Sequence, residues 1–111
     1  MNSDFIIYEY KNAGDKLLAE GFHRQSIIMY WIACRYLIFY ILSAQGIHYT
    51  STRNALLEFI KKNENNTINS QIWFLDSIST LCEWNPELKI DKKQASKVKN
   101  ILNNILAYYG R

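Results

Sequence analysis

Residues 27–42 read IIMYWIACRYLIFYIL, sixteen positions with a single charge at Arg35. The segment is shorter than the roughly 20 apolar residues that cross a bilayer, and a central arginine costs about 2.5–3.5 kcal/mol on insertion. Its aromatic residues are scattered along the segment and do not form belts at its two ends. In a water-soluble chain, a helix that is apolar all round is surrounded by other elements. We therefore predict a central bundle helix here and expect no membrane contact.

Helical periodicity continues on both sides of this segment. The pattern breaks at two glycines, a polar loop and a proline, namely Gly21, Gly46, residues 63–67 and Pro86. Side chains that cap helices stand at residues 50–52 (Thr-Ser-Thr) and at Asp91. These signals predict five helices: Phe5–Glu20, Arg24–Gln45, a third from the capping cluster to Lys62, Ile68–Cys82, and one of about nineteen residues after Asp91.

Apolar spacing within these helices predicts which faces are buried. The first helix is expected to bury Ile6, Tyr10, Ala13 and Leu17, with Ser3 or Asp4 as its cap. The fourth is expected to bury Ile68, Ile72, Leu75, Ile78 and Cys82, with Phe74 and Leu81 beside them. The fifth is expected to bury Ala95, Val98, Leu102, Ile105 and Tyr109.

The fold class follows from these periods. No region alternates with period two for long enough to make a strand, and one proline and four glycines supply few tight turns. A chain of 111 residues buries about two-thirds of its surface, which is enough for one core. We predict an all-α, up-and-down antiparallel bundle of four to five helices in one domain, residues 1–111. The surplus aromatic residues of the central helix further predict a homodimer.

Charge is distributed unevenly along the chain. Residues 1–86 carry seven Lys/Arg and eight Asp/Glu, whereas residues 87–111 carry six Lys/Arg and two Asp/Glu. Most lysines of this last segment share one broad helical stripe, formed by Lys89, Lys92, Lys93 and Lys97, with Lys99 pointing elsewhere. Such a run is typical of a solvated helix face. The alternative is sequence-independent contact with RNA or DNA phosphates, because lysine offers a point charge.

Arg35 lies three turns into the apolar helix and needs a partner if it is buried. Carboxylates on neighbouring helices that could pair with it are Asp15, Asp76 and Glu83. One interpretation is therefore a buried or interfacial salt bridge. The other is an arginine that lines a nucleotide or RNA cleft, since burial of such groups is typical of functional sites.

The two histidines lie near the ends of the central helix. His23 precedes Arg24 at the helix start, where free N–H groups could help to hold an anion. The alternative is a polar turn residue, and His48 is interpreted in the same way.

Motifs for other chemistry are missing from the sequence. There is no Gly-rich phosphate loop, no G-x-S-x-G and no H-E-x-x-H. Cys34 and Cys82 lack metal-ligand spacing, so we expect buried free thiols and neither metal nor cofactor. The start of the chain lacks the pattern of a signal peptide, which predicts a cytoplasmic protein.

The stretch from Ala13 to Ile60 resembles the HEPN domain family. The matching pattern comprises Ala13, Leu17-Leu18, Gly21, Ser26-Ile27, Tyr30, Ala33, Leu37, Leu42, Gly46, Leu56-Leu57 and Phe59. Asp91 and Ala95 are similar to the start of that family's last helix. This resemblance implies an all-α bundle that often dimerises, and a link to nucleotides or RNA. Many HEPN proteins are metal-independent ribonucleases of toxin–antitoxin, abortive-infection or CRISPR-associated systems, and others are partners of small nucleotidyltransferases.

The ribonuclease branch of that family carries R-x4–6-H around the start of its last helix. Arginine there stabilises the charge of the transition state, and histidine acts as general acid or base. The corresponding residues 82–89 of this chain read CEWNPELK and contain neither residue. The resemblance therefore implies a non-catalytic module that acts through binding, and no catalytic residue is carried over.

Two further hypotheses stay open. A ribonuclease with a displaced site would use residues from the set His23, Arg24, Arg35 and His48. A small interaction or inhibitor protein of a mobile element or virus would need no nucleic-acid contact. The binding module itself is expected to use His23, Arg24, Arg35, Lys89, Lys92, Lys93 and Lys97.

Overall fold

Helices form the secondary structure of residues 3–111, the part of the chain that the computed structural model describes. Five helices and no strand lie in this range, which confirms the predicted all-α class. They are α1 (Ser3–Ala19), α2 (His23–Ala44), α3 (Thr52–Lys62), α4 (Asn66–Trp84) and α5 (Lys92–Tyr108).

Capping side chains set most helix starts. The Ser51 side chain accepts a hydrogen bond from the backbone N–H of Asn54, and Asp91 forms a reciprocal capping box with Gln94. The helix α4 begins two residues before its predicted start because Asn65 is its cap. The predicted caps of α1 were wrong. Ser3 and Asp4 lie inside the helix, and the position before them is outside the described residues.

Helix α2 is the centre of the bundle. It contacts each of the other four helices, and α5 also contacts α1 and α4. Buried residues from all five helices form one hydrophobic cluster, to which α2 alone supplies eight: Ile27, Tyr30, Trp31, Ala33, Cys34, Leu37, Ile38 and Leu42. Ser26 of α2 is buried as well. By length and composition α2 would also suit a bilayer. In this fold its buried side is covered by helices.

The buried face of α1 is offset from its prediction. Ile7 and Gly14 are buried, whereas the predicted Ile6, Tyr10, Ala13 and Leu17 are only half-buried. The cause is a close approach to α2, since a Cβ atom built on Gly14 would lie 2.6 Å from the Tyr30 ring. The helix turns its smallest residue towards this ring, which leaves the predicted stripe at the edge of the contact.

The buried faces of α4 and α5 largely match the predictions. All predicted α5 positions are buried except Tyr109, which is half-buried. On α4, Ile78 and Phe74 are half-buried and Leu81 is exposed. The polar residues Asn69 and Ser79 take buried places instead. Asn69 is satisfied by the Asn63 side chain and by two carbonyls of the α3 end, so its burial leaves no unpaired amide.

Candidate functional site

The lysines of α5 form one cationic face. Lys92, Lys93 and Lys97 lie exposed in the first two turns of the helix, and Lys89 is exposed just before it. Residues 92–111 contain no Asp or Glu, so no acidic neighbour on this helix neutralises them. Lys99 points elsewhere as predicted, with its Nζ 3.5 Å from Asp15 Oδ1. Lys93 and Lys97 line one groove and Lys92 lines another, while Lys89 belongs to the loop before α5.

Two open grooves flank this face. The α4–α5 groove has a volume of about 660 Å³ and is lined by Gln71, Lys93, Gln94, Lys97, Asn100 and Asn104, among others. The α1–α5 groove has a volume of about 520 Å³, and its lining includes Asp15, His23, Lys92, Lys99 and Asn100. Only the α4–α5 groove is lined without a carboxylate, so it is the better place for an anion.

Contacts across the α4–α5 groove hold its walls in place. Asn104 Nδ2 donates to Gln71 Oε1 over 2.9 Å, which joins α5 to α4. The Lys97 ammonium lies 4.9 Å from the centre of the Phe74 ring, a cation–π distance. Within residues 3–111, the Lys93 ammonium and the Asn100 side-chain amide make no hydrogen bond. Both are therefore available to a ligand.

Arg24 has a structural use. Its guanidinium donates to the carbonyls of Cys82 (2.7 Å) and Asn85 (2.8 Å), and also to those of Pro86 and Leu88. These acceptors are the end of α4 and the following loop, where the helix dipole favours a cation. Arg24 therefore holds the α4–α5 connection together, and its guanidinium is occupied by backbone carbonyls.

His23 supports the same connection. Its Nδ1 lies 3.3 Å from the Ile90 carbonyl oxygen, to which the Nδ1–H tautomer donates. The ring also lines the α1–α5 groove, beside Lys92 and Lys99. His23 thus lies between a structural contact and a groove wall, and its predicted role in binding an anion stays a prediction.

Within residues 3–111 Arg35 forms no salt bridge, and a salt bridge across a subunit interface stays a prediction. Arg35 is half-buried and pairs with no carboxylate in the described chain. Asp15 instead pairs with Lys11 and Lys99, while Asp76 pairs with Arg53 and Glu83 is exposed. The physical reason is that one side of α2 is not covered by other helices. The aliphatic part of Arg35 packs on this side while its guanidinium reaches water, so the charge needs no buried partner.

The open side of α2 is apolar. Half-buried side chains follow it at helical spacing and continue onto the edge of α1: Ile28, Met29, Ile32, Tyr36 and Phe39 of α2, with Ile6, Tyr10, Ala13 and Leu17 of α1. We call this surface the α1–α2 apolar face. Aromatic contacts cross it, with ring centres 5.5 Å apart for Tyr10–Tyr36, 6.0 Å for Tyr36–Phe39 and 5.3 Å for Phe39–Tyr49.

The residues of the displaced ribonuclease hypothesis do not meet within one chain. His23 begins α2 and His48 follows its end, so about 33 Å of helix separates them. Arg24 is occupied by backbone carbonyls, and Arg35 lies near the middle of the same helix. No general acid–base pair with hydrogen-bond geometry results from these four residues.

The cysteines are buried and unpaired as disulfides, as predicted. Burial raises the pKa of the Cys34 thiol to about 12, and the nearby Arg35 charge offsets only part of this. A reactive thiolate is therefore disfavoured at Cys34. Within the described residues, no three side chains of His, Cys, Asp or Glu are placed to hold a metal ion.

Similarity to known proteins gives no further guide. Comparisons with protein-family models, with curated proteins and with solved structures return no match to this chain. The resemblance to the HEPN family therefore stays a prediction.

Asp15 is expected to make stability depend on pH. Burial raises the pKa of Asp15. Hydrogen bonds from Tyr30 and Lys11, together with the charges of Lys11 and Lys99, lower this pKa by more, so it lies below its ordinary value. The unfolded chain then binds a proton at higher pH than the folded chain does. Asp15 therefore stabilises the fold above about pH 4, and this is lost as pH falls through its folded pKa.

Urea unfolding across acidic pH measures this effect. The free energy of unfolding of the wild type should fall more steeply below about pH 4 than that of Asp15→Asn, which cannot titrate. Glu64→Asn serves as the control because it removes an exposed loop carboxylate that forms no ion pair in the described chain. Parallel pH profiles for the wild type and Asp15→Asn would contradict the assignment.

Proposed function

We propose that this protein is a non-catalytic helical module that binds nucleic acid through the lysine face of α5. The observation that carries the proposal is a lysine-rich helix without Asp or Glu, whose Lys93 and Lys97 line a groove that contains no carboxylate. Lysine ammonium groups bind phosphates without reading sequence, and the release of counterions drives such binding. The resemblance to a family linked with RNA supports the same conclusion.

The lysine face predicts binding that depends strongly on salt. Replacing both Lys93 and Lys97 with glutamine should weaken nucleic-acid binding at least about tenfold, because two phosphate contacts are lost. The slope of log K against log salt concentration should become shallower by about 1.4–1.8. Fluorescence anisotropy with a labelled RNA over a salt series measures both quantities.

The matched control is Lys61→Gln with Lys62→Gln. These two lysines are exposed at the end of α3, so the double substitution removes the same charge from outside the α5 face. It should leave most of the salt slope unchanged. Equal losses for the two double variants would mean that only net charge matters, and wild-type binding that ignores salt would refute the proposal.

We also propose that two copies of the chain associate through the α1–α2 apolar face. Arg35 is the only charged residue among the half-buried positions of α2 between residues 28 and 39. An apolar face with a single cation can be buried against the same face of a second copy, as a two-fold dimer requires. The aromatic contacts between Tyr10, Tyr36 and Phe39 hold its side chains in one arrangement, which lowers the entropy lost on association.

Ile32→Glu tests this dimer. The substitution places a charge at the middle of the open side of α2 and should convert a dimer to a monomer at micromolar concentration, measured by sedimentation velocity. Leu57→Glu is the control, since Leu57 is 48% exposed on α3 and lies outside the face. A wild type that sediments as a monomer throughout this concentration range would refute the dimer.

The partner protein, biological system and compartment expected from the sequence do not enter this proposal. Pairing with a small nucleotidyltransferase, a place in a toxin–antitoxin or defence system, and the cytoplasm as compartment stay predictions. So do the displaced ribonuclease and the inhibitor of a mobile element or virus. A nucleotidyltransferase-like reading frame beside the gene would favour the two-component pair, and cleavage of RNA by the purified protein would favour the ribonuclease.

A further inference from the structure

The α4–α5 groove contains side-chain amides as well as the two lysines that can bind phosphates. Four side-chain amides line it beside the two lysines: Gln71, Gln94, Asn100 and Asn104. An amide carries both donors and acceptors, which a phosphate alone does not need. Gln94 Oε1 and Gln71 Oε1 accept hydrogen bonds inside the protein, so their NH₂ groups remain as outward donors. Such mixed groups suit ligands with hydrogen-bonding edges.

Single-stranded nucleic acid offers those edges. In a duplex RNA the base edges are paired and the major groove is too narrow for side chains, whereas an unpaired strand can present its bases to a protein. Lys93 and Lys97 are one helical turn apart, about 6 Å along α5, so they can follow the phosphates of an extended strand. The amides then face its sugars and bases. A volume of about 660 Å³ lies within the range of small-ligand sites, so the groove holds only a short segment of a strand.

The amides also favour ribose over deoxyribose. A ribose 2′-hydroxyl both donates and accepts hydrogen bonds, which distinguishes RNA from DNA at a given site. Asn100 lies between the two lysines and the Asn104–Gln71 pair along α5, and its amide is unpaired in the described chain. It can therefore donate to and accept from a 2′-hydroxyl at once.

We infer that the α4–α5 groove binds a short single-stranded segment of RNA, with Lys93 and Lys97 on its phosphates and Asn100 with its neighbouring amides on its sugars and bases. This inference rests on the proposed nucleic-acid function and narrows it to one strand form, one sugar and one groove.

Three labelled probes of the same sequence test the inference by anisotropy: a short RNA strand, the DNA strand and the RNA duplex. The wild type should bind the RNA strand about threefold to tenfold more tightly than either of the others, the worth of one or two added hydrogen bonds. Asn100→Ala should remove this preference while leaving the salt slope unchanged. Asn103→Ala, the same substitution at an exposed residue of α5 that lines neither groove, should preserve it.

A second pair of variants identifies the groove, because Asn100 lines both. Gln71 lines only the α4–α5 groove, and Gln71→Glu keeps the acceptor for Asn104 while it adds a negative charge there. It should weaken binding of the RNA strand about tenfold. Gln25→Glu makes the same change at an exposed residue of α2 that lines neither groove and should have much less effect.

The outcomes separate this inference from the proposed function. Salt-dependent binding that is equal for all three probes and equal for Asn100→Ala and Asn103→Ala would overturn the single-stranded RNA site and leave the lysine face in place. Equal effects of Gln71→Glu and Gln25→Glu would overturn the choice of groove. No salt-dependent binding of any probe by the wild type would overturn both.

Discussion

Tyr30→Ala is expected to lower the free energy of unfolding by about 3–5 kcal/mol, the range measured when a large buried ring is removed. Tyr30 is among the largest fully buried side chains of the described chain. Its ring lies against Gly14 of α1, and its hydroxyl donates to Asp15 Oδ1 over 2.6 Å. The cavity cannot be filled from α1, since the residue that faces the ring has no side chain.

A series at this position separates packing from hydrogen bonding. Tyr30→Phe keeps the ring and should cost only about 0.5–1.5 kcal/mol, because Asp15 retains its lysine partners. Tyr8→Ala on the outer face of α1 is the control for loss of a tyrosine, and it should stay within about 1 kcal/mol of the wild type. Urea unfolding of all four proteins gives the comparison. Equal costs for Tyr30→Ala and Tyr8→Ala would contradict the packing described for α1 and α2.

The same contact explains where the sequence predicted the fold well and where it failed. Glycine breaks and capping residues act locally, so Gly21, Gly46, Ser51 and Asp91 predicted helix ends to within one or two residues. The buried face of α1 was displaced because its apolar spacing ignored Gly14. Only the approach of Tyr30 from another helix gives that glycine its place in the core. Such a pairing depends on residues sixteen positions apart and has no signature in periodicity.

The sequence predicted the lysines of the candidate site but not the groove that they line. Lysine clustering in the last quarter of the chain identified Lys93 and Lys97 directly. The groove also needs Gln71, which lies on α4 and reaches the site only because α4 packs beside α5. Amides at the surface of a helix give no local signal of a site. The available clue was a surplus of Asn and Gln on one basic helix, as in residues 100–104, which read NILNN.

Arg24 was predicted to bind a ligand because an arginine beside a histidine at a helix start resembles an anion site. What the sequence could not show was that the end of α4 returns to this point. Carbonyl groups of the last turn of α4 and of the loop after it then accept the guanidinium's hydrogen bonds. Arg24 thus donates its hydrogen bonds to backbone carbonyls of its own chain.

Arg24→Ala should therefore cost stability and spare nucleic-acid binding. We expect the free energy of unfolding to fall by about 2–4 kcal/mol. Hydrogen bonds from a charged donor contribute about 1.5–3 kcal/mol each, but the carbonyls at exposed residues are rehydrated when Arg24 is removed. Arg24→Lys should recover part of the loss, because an ammonium reaches fewer of these acceptors than a planar guanidinium does.

Arg53→Ala is the matched control. It removes a guanidinium that is 63% exposed and lies 3.3 Å from Asp76, so it should cost less than about 1 kcal/mol. At a temperature where every variant is folded by circular dichroism, Arg24→Ala should retain the salt slope and RNA affinity that Lys93→Gln with Lys97→Gln loses. Two results together would contradict this structural role and show that Arg24 binds the ligand. Arg24→Ala would be as stable as Arg53→Ala, and it would bind RNA at least about tenfold more weakly than the wild type, as expected for the double lysine variant. The opposite result makes the α4–α5 connection, and with it the start of α5, dependent on one arginine of the central helix.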